Sequence, residues 1–179
     1  DWNVTKLNSS GSQLWSYEVD LGASEAGGET ARGVAVDSQD NIIVVGGVAI
    51  AGLDWNVTKL NSSGAQLWSY RQPAPGDGRA HGVAVDSQDN LIVVGYANNF
   101  DWNVTKFNSS GSQLWSYQVN LGGGSDVAYG VAVDSQDNII VVGQAGNTDN
   151  DWNVTKLNSS GSQLWSYEAN LGGSDVAYG

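Results

Sequence analysis

Residues 1–17 read DWNVTKLNSSGSQLWSY, and the same 17 residues begin again at Asp54, Asp101 and Asp151, at offsets of 53, 47 and 50. Between these copies, GVAVDSQDNIIVVG runs from Gly33 to Gly46 and returns at Gly82 and Gly130, at offsets of 49 and 48. Only three substitutions separate the copies: Ala65 for Ser, Phe107 for Leu and Leu91 for Ile. Identity this close follows from recent duplication or from design. A period of this length marks a repeat architecture, in which each unit buries its apolar faces against its neighbours.

Within each unit the pattern is that of four short strands, A to D. GVAVD places β-branched residues at alternate positions (Val34, Val36) and gives strand A. DSQDN is a turn, rich in side chains that bond their own backbone. NIIVVG is a continuous apolar strand B, buried on both faces. WNVTKLN alternates as strand C, NSSG turns the chain, and QLWSYEV is strand D, with Leu14 on one face and Trp15 and Tyr17 on the other. No window carries a 3.6-residue period. Four antiparallel strands in about 40–50 residues is the period of a β-propeller blade. A parallel β-helix is the rival, but its coils are shorter and lack two tight hairpins per unit. The expected fold is therefore an all-β propeller forming one repeat domain. A half blade and its connection occupy 1–31, and blades occupy 32–80, 81–128 and 129–179, the last with the start of a further, truncated repeat.

The same run, KLNSSGSQLWSY followed by LGG and GVAVDSQDNIIVVG, resembles the SBBP-type β-propeller repeat of bacterial and archaeal extracellular proteins, over essentially the whole chain. GSQLWSY is also similar to the Trp-bearing motif of quinoprotein-type propellers, over a shorter stretch. The SBBP resemblance implies a secreted or surface-exposed protein and carries over no catalytic residues. The Asp-Trp pair of strand C is not the WD-repeat signature, whose Gly-His partner is missing.

Composition narrows the function. Nineteen acidic residues stand against 7 basic ones, a net charge of −12. That argues against nucleic acid, whose binding needs clustered Lys and Arg, and against an anionic membrane surface. No apolar run is long enough to span a bilayer. With no cysteine there is no disulfide, thiolate metal site or thiol nucleophile. Methionine is absent even at position 1, so a mature or excised piece is expected, with any signal peptide removed.

Residues that could carry chemistry are few. His81 is the only histidine, beside Arg79 in what reads as a solvated loop entering the second strand A. No GxSxG elbow and no phosphate loop occur. Lys6, Lys59, Lys106 and Lys156 all fall in strand C, where each is expected to lie over an aromatic ring or pair with an Asp of its blade. Asp37/Asp40, Asp86/Asp89 and Asp134/Asp137 lack the spacing of a calcium loop and read as turn caps. Asp126 and Asp175, in Gly-rich loops, read the same way. The eight Trp read as blade-to-blade packing, with sugar stacking as the alternative. The NVT sequons at Asn3, Asn56, Asn103 and Asn153 lie inside strand C, where a glycan would clash. The NSS sequons at Asn8, Asn61, Asn108 and Asn158 lie in surface turns and are the candidate glycosylation sites. No catalytic set, metal site or cofactor is expected.

In a blade, the A–B and C–D turns lie on one face of the disc and the B–C and D–A connections on the other. Here the first pair hardly varies and the second pair varies in length and sequence. Loops on a rigid scaffold are where specificity resides. The binding face is therefore expected at Glu25, Glu29, Arg32, Arg71, Arg79, His81, Asn98, Asn99 and Phe100. Three functions fit: a non-enzymatic extracellular scaffold for surface display or adhesion, a lectin-like propeller, and an enzyme with a central-channel site. Three and a half blades do not close a ring. The expected partners are further copies of the chain or the rest of a longer repeat protein, with carbohydrate as the alternative ligand.

Overall fold

A computed structural model describes residues 1–22, 28–50, 52–72, 77–98, 100–146, 150–170, 172 and 175–178. Among them are fourteen strands: β1 (Trp2–Leu7), β2 (Gln13–Val19), β3 (Glu29–Val36), β4 (Ile42–Ala49), β5 (Leu53–Leu60), β6 (Gln66–Gln72), β7 (Arg79–Val85), β8 (Leu91–Ala97), β9 (Asp101–Phe107), β10 (Gln113–Val119), β11 (Val127–Val133), β12 (Ile139–Ala145), β13 (Asp151–Leu157) and β14 (Gln163–Ala169). They form a two-stranded sheet, β1-β2, and three four-stranded meanders, β3 to β6, β7 to β10 and β11 to β14. All pairings are antiparallel. This is the strand plan of a β-propeller.

The continuous apolar runs bind blade to blade, because alternate side chains of strands B and C point to opposite faces. Ile43, Val45, Trp55 and Val57 pack against Ala80, Leu91, Val93 and Phe107 of the next blade. Ile92, Val94, Trp102 and Val104 likewise meet Ala128, Ile139, Val141 and Leu157. Trp2, Val4, Trp15 and Tyr17 of the two-stranded sheet meet Ile42, Val44 and Leu60. Strand β4, with a neighbour on each face, is buried at every position, whereas β12 alternates buried and half-buried. Each fully buried Val, Leu or Ile contributes about 1.5–3 kcal/mol, so the blades are held chiefly by these seams.

Strand A begins earlier than GVAVD suggests. Glu29 pairs with Val48, Arg79 with Tyr96 and Val127 with Gln144, so the preceding connection is drawn into each sheet. The ladder then skips one residue: Ala31 pairs with Gly46 and Gly33 with Val45, which leaves Arg32 opposite no partner. His81 and Tyr129 occupy the same bulge in β7 and β11. The three A strands run side by side near the axis. A Cβ on Gly33 would stand 2.9 Å from the His81 carbonyl oxygen and 3.2 Å from the Gly82 Cα, so glycine permits that backbone approach.

Candidate functional site at the propeller axis

The turn face is chemically saturated. Lys59, Lys106 and Lys156 pair with Asp37, Asp86 and Asp134 of their own blades, each at 2.8 Å. The Asp37 carboxylate also accepts the Gln39 and Asn41 amides at 3.0 and 2.9 Å and the Asn41 side-chain amide at 2.9 Å. Burial pushes the Asp37 and Asp86 carboxyls up, but hydrogen bonds from the lysine, the neighbouring asparagine and the backbone together hold them below the ordinary carboxylate range. These carboxylates are thus occupied by donors, which suits turn caps rather than calcium ligands.

The second Asp of each turn ties blade to blade. The Ser38 amide and hydroxyl donate to Asp89 at 2.9 and 2.7 Å, and those of Ser87 donate to Asp137 at 3.0 and 2.7 Å. At the C–D turns, Lys59 and Trp68 both donate to the Ser109 carbonyl of the next blade, each at 3.2 Å. Gly111, at φ +86, lies under the Trp68 ring, where a Cβ would come within 3.0 Å. Trp55 and Trp102 donate to the carbonyls of Tyr96 and Gln144, each at 2.7 Å. These tryptophans serve packing. In the NSS turns the Asn61 carboxamide oxygen accepts three bonds, from the Ser63 amide and hydroxyl and the Ala65 amide. Asn56 and Asn103 of the NVT sequons are each only 2% exposed, inside the sheets.

The axis is different. The bulges bring Arg32, His81 and Tyr129 together above Gly33, Gly82 and Gly130, lining a cleft of about 230 Å³. Bulges re-aim side chains out of the ladder, which is how the strands deliver these three to one place. The His81 ring lies 5.1 Å from Tyr129, edge to face, and 5.9 Å from Tyr96. Tyr178 reaches Tyr129 at 5.1 Å, and Phe100 stacks on Tyr96 at 4.8 Å. Arg79 crosses Gly47, where a Cβ would sit 3.1 Å from its Cγ. Gly47 thus leaves room that Tyr96 and Gln144 fill at the same place in the other blades.

Electrostatics at the axis are those of uncompensated cations. Burial, then the charges of Arg32 and Arg79, bring the His81 imidazole down to about 4, so it is neutral at pH 7. Burial and the neighbouring Arg79 also lower Arg32. Burial raises the Tyr96 and Tyr129 hydroxyls. Among the described residues the ion pairs of the side chains take up Lys59, Lys106, Lys156 and Arg71, and neither Arg32 nor Arg79 has a carboxylate within 4 Å. Arg79 Nε and His81 Nε2 are buried without a hydrogen-bond partner.

Of the residues expected on the binding face, Arg32 and His81 line this cleft, the Arg79 charge acts on both, and Phe100 stacks on Tyr96 beside His81. His81 is not in a solvated loop. It lies within β7 because the connection pairs with β8 beyond the bulge, and it is largely buried. Glu29 turns elsewhere, accepting the Leu21 amide at 2.6 Å and lying 3.7 Å from the amino terminus. Arg71 is on the outer strand β6, 3.8 Å from Asp54. Asn98 donates to Gln118 at 3.2 Å. Glu25 and Asn99 lie outside the described residues. Tyr96, Tyr129 and Tyr178 were not among the expected site residues. One sequence feature marks the site: the residue before each GVAV, or before the equivalent terminal glycine, is Arg32, His81, Tyr129 or Tyr178, while its neighbours scarcely change.

The sequence matches no protein-family model and no curated protein. Among solved structures, the chain is similar to a streptogramin B lyase, at 16% identity and a TM-score of 0.60, over 92% of this chain and 47% of that one. A protein of unknown function from Bacteroides caccae gives 14% identity and 0.59, over 91% and 53%. A quinohemoprotein alcohol dehydrogenase from Pseudomonas putida HK5 gives 16% and 0.55, over 93% and 31%. The chain thus spans about half, or less, of these propeller-type proteins. At such identities the likeness shows the β-propeller fold alone.

Proposed function

We propose that this chain is a non-enzymatic, extracellular SBBP-type interaction scaffold, with the loop face and axis mouth as its binding surface. The observation that carries this reading is the contrast in bonding. Polar groups of the DSQDN and NSSG turns bond within and between blades, whereas Arg32 and His81 line the axis cleft and, among the described residues, neither Arg32 nor Arg79 holds a carboxylate. The groups facing His81 are guanidiniums and the rings of Tyr96 and Tyr129, whose hydroxyls burial holds protonated, so among the described residues no carboxylate orients the imidazole as in an acid–base pair. An acidic surface supports an extracellular setting, and the NSS asparagines Asn8, Asn61, Asn108 and Asn158 are its candidate glycan acceptors.

The same reading makes further copies of the repeat a partner. Val34 and Val36 are 65% and 56% exposed, while their counterparts Val83, Val85, Val131 and Val133 pack against the preceding blade. Lys6 donates to the Ser62 carbonyl at 3.4 Å and has no carboxylate of the kind its three counterparts hold. An A–B hairpin of the same repeat, laid on the open edge of β1, supplies valines for the first and an Asp for the second.

The test is binding to an array of defined glycans and purified surface proteins, with wild type, Asn98→Ala/Phe100→Ala and Ser38→Ala. Binding lost in the loop variant and kept in Ser38→Ala supports the proposal. Absence of binding, loss only in Ser38→Ala, or turnover of an array member that requires His81 overturns it.

A further inference from the structure

We propose that the axis mouth binds a small carboxylate carried on a six-membered ring, with Arg32 gripping the carboxylate, the Arg79 charge nearby, and the rings of His81 and Tyr129 walling the ring. This deepens the loop-face reading above and rests on it for the choice of face.

The charge distribution comes first. In a chain of net charge −12, the cations are nearly all spoken for. Three lysines and Arg71 hold carboxylates, and Lys6 holds a carbonyl. Arg32 and Arg79 instead lie close to each other at the axis, each cation disfavouring its neighbours. A guanidinium and an imidazole presented by two bulges, with the second guanidinium of Arg79 close by, gain from an anion placed among them. The guanidinium fork matches a carboxylate with two parallel hydrogen bonds, a geometry a lysine cannot give.

Size and shape then limit the class. A cleft of about 230 Å³ is smaller than the roughly 300–1,000 Å³ of sites for drug-sized ligands. It suits one ring with its acid group. Tyr129 and His81 meet edge to face and Val34, Val83 and Val131 complete the lining, so the walls are aromatic and apolar. Such walls accept either an aryl ring or the apolar face of a sugar acid.

Protonation supplies a signature. The groups facing His81 are Arg32 from β3, Arg79 from its own β7, Tyr96 from β8 and Tyr129 from β11, with Tyr178 behind Tyr129. A bound carboxylate offsets both guanidiniums and favours the imidazolium. Binding therefore takes up a proton between about pH 6.5 and 4, and affinity rises as pH falls through that window.

The experiment titrates the chain with benzoate and, separately, with glucuronate by calorimetry at pH 7 and pH 5, following the His81 ring resonances by NMR. One saturable site, several-fold tighter at pH 5, is expected for at least one acid, with the His81 pKa rising from about 4 on binding. Benzoate alone assigns an aryl acid, and glucuronate alone a sugar acid. Arg32→Gln weakens binding about tenfold or more, and Arg79→Gln, which removes only a neighbouring charge, weakens it by less. Arg32→Lys keeps the charge and still loses most of the affinity, which covers poor folding of the Gln variant. No binding by either acid, equal binding by the Arg variants, or an unmoved His81 pKa overturns the proposal. Its outcome is separate from that of the loop reading. Asn98→Ala/Phe100→Ala tests the larger partner, and the acids test the cleft.

Discussion

The two faces of the propeller are built from the same strands by opposite means. On the turn face, charged and amide groups of DSQDN bond within their own blade or to the next: Lys59 with Asp37, Ser38 with Asp89, Asn41 with Asp37. On the axis side, three bulges present Arg32, His81 and Tyr129 at equivalent positions with three different chemistries. A residue tied to two blades cannot change without unseating both. A residue displaced from the ladder by a bulge can. The repeat is thus uniform where it bonds itself and varied where it faces a ligand.

The sharpest way to break this comparison is at the lysines. Lys106→Met strands the buried Asp86 carboxylate and is expected to cost about 3–5 kcal/mol in urea unfolding. Lys6→Met removes the same residue of the same motif where no carboxylate awaits it, and is expected to cost no more than about 1 kcal/mol. Equal losses would contradict the assignment of stability to the Lys–Asp pairs.

Acid separates the faces next. The Asp37 and Asp86 carboxyls are held low in the folded state. The stability they contribute is present above the ordinary carboxylate pKa near 4 and is lost as pH falls below it. His81 acts earlier and in the same direction. Its folded pKa of about 4 lies below its ordinary 6.5, so the unfolded chain binds the extra proton and stability declines as pH drops from 6.5 to 4. In His81→Gln, melting temperature is expected to be flatter across pH 6.5–4, with the steeper loss below pH 4 retained.

Smaller effects come from single hydrogen bonds. Ser38→Ala removes the hydroxyl donor to Asp89 while the Ser38 amide bond stays, and is expected to lower stability by about 1 kcal/mol. Asn98, at φ +49 on the loop face, is expected to tolerate glycine within about 0.5 kcal/mol in the same unfolding measurement.

Much of this architecture was legible in the residues because it is local. Period-two runs of Val and Ile specify strands, and Asp and Asn at DSQDN specify the turn, which closes with Asp40 at φ 60. The tryptophans could be read as packing because strands C and D each carry one at the same place in every unit. The axis site was only half legible. Arg32, Arg79 and His81 stood out as rare cations beside variable loops, but their convergence depends on the register of strand A against strand B. Nothing around Ala31 and Gly33 announces that the residue between them will be squeezed from the ladder opposite Gly46. Tyr96 and Tyr129 fall within the variable B–C and D–A loops of the sequence reading and do not stand out there, for the same reason.

The central claim is that binding belongs to the axis and loop face, and cohesion to the turn face. Amide chemical-shift mapping during titration with benzoate or glucuronate tests it most directly. The account expects the largest shifts at Ala31–Val34, Arg79–Val83 and Val127–Val131, the bulged segments around the cleft. Shifts concentrated at Asp37–Asn41, Asn61–Ala65 and Asn108–Ser112, in the turns that join the blades, would contradict it.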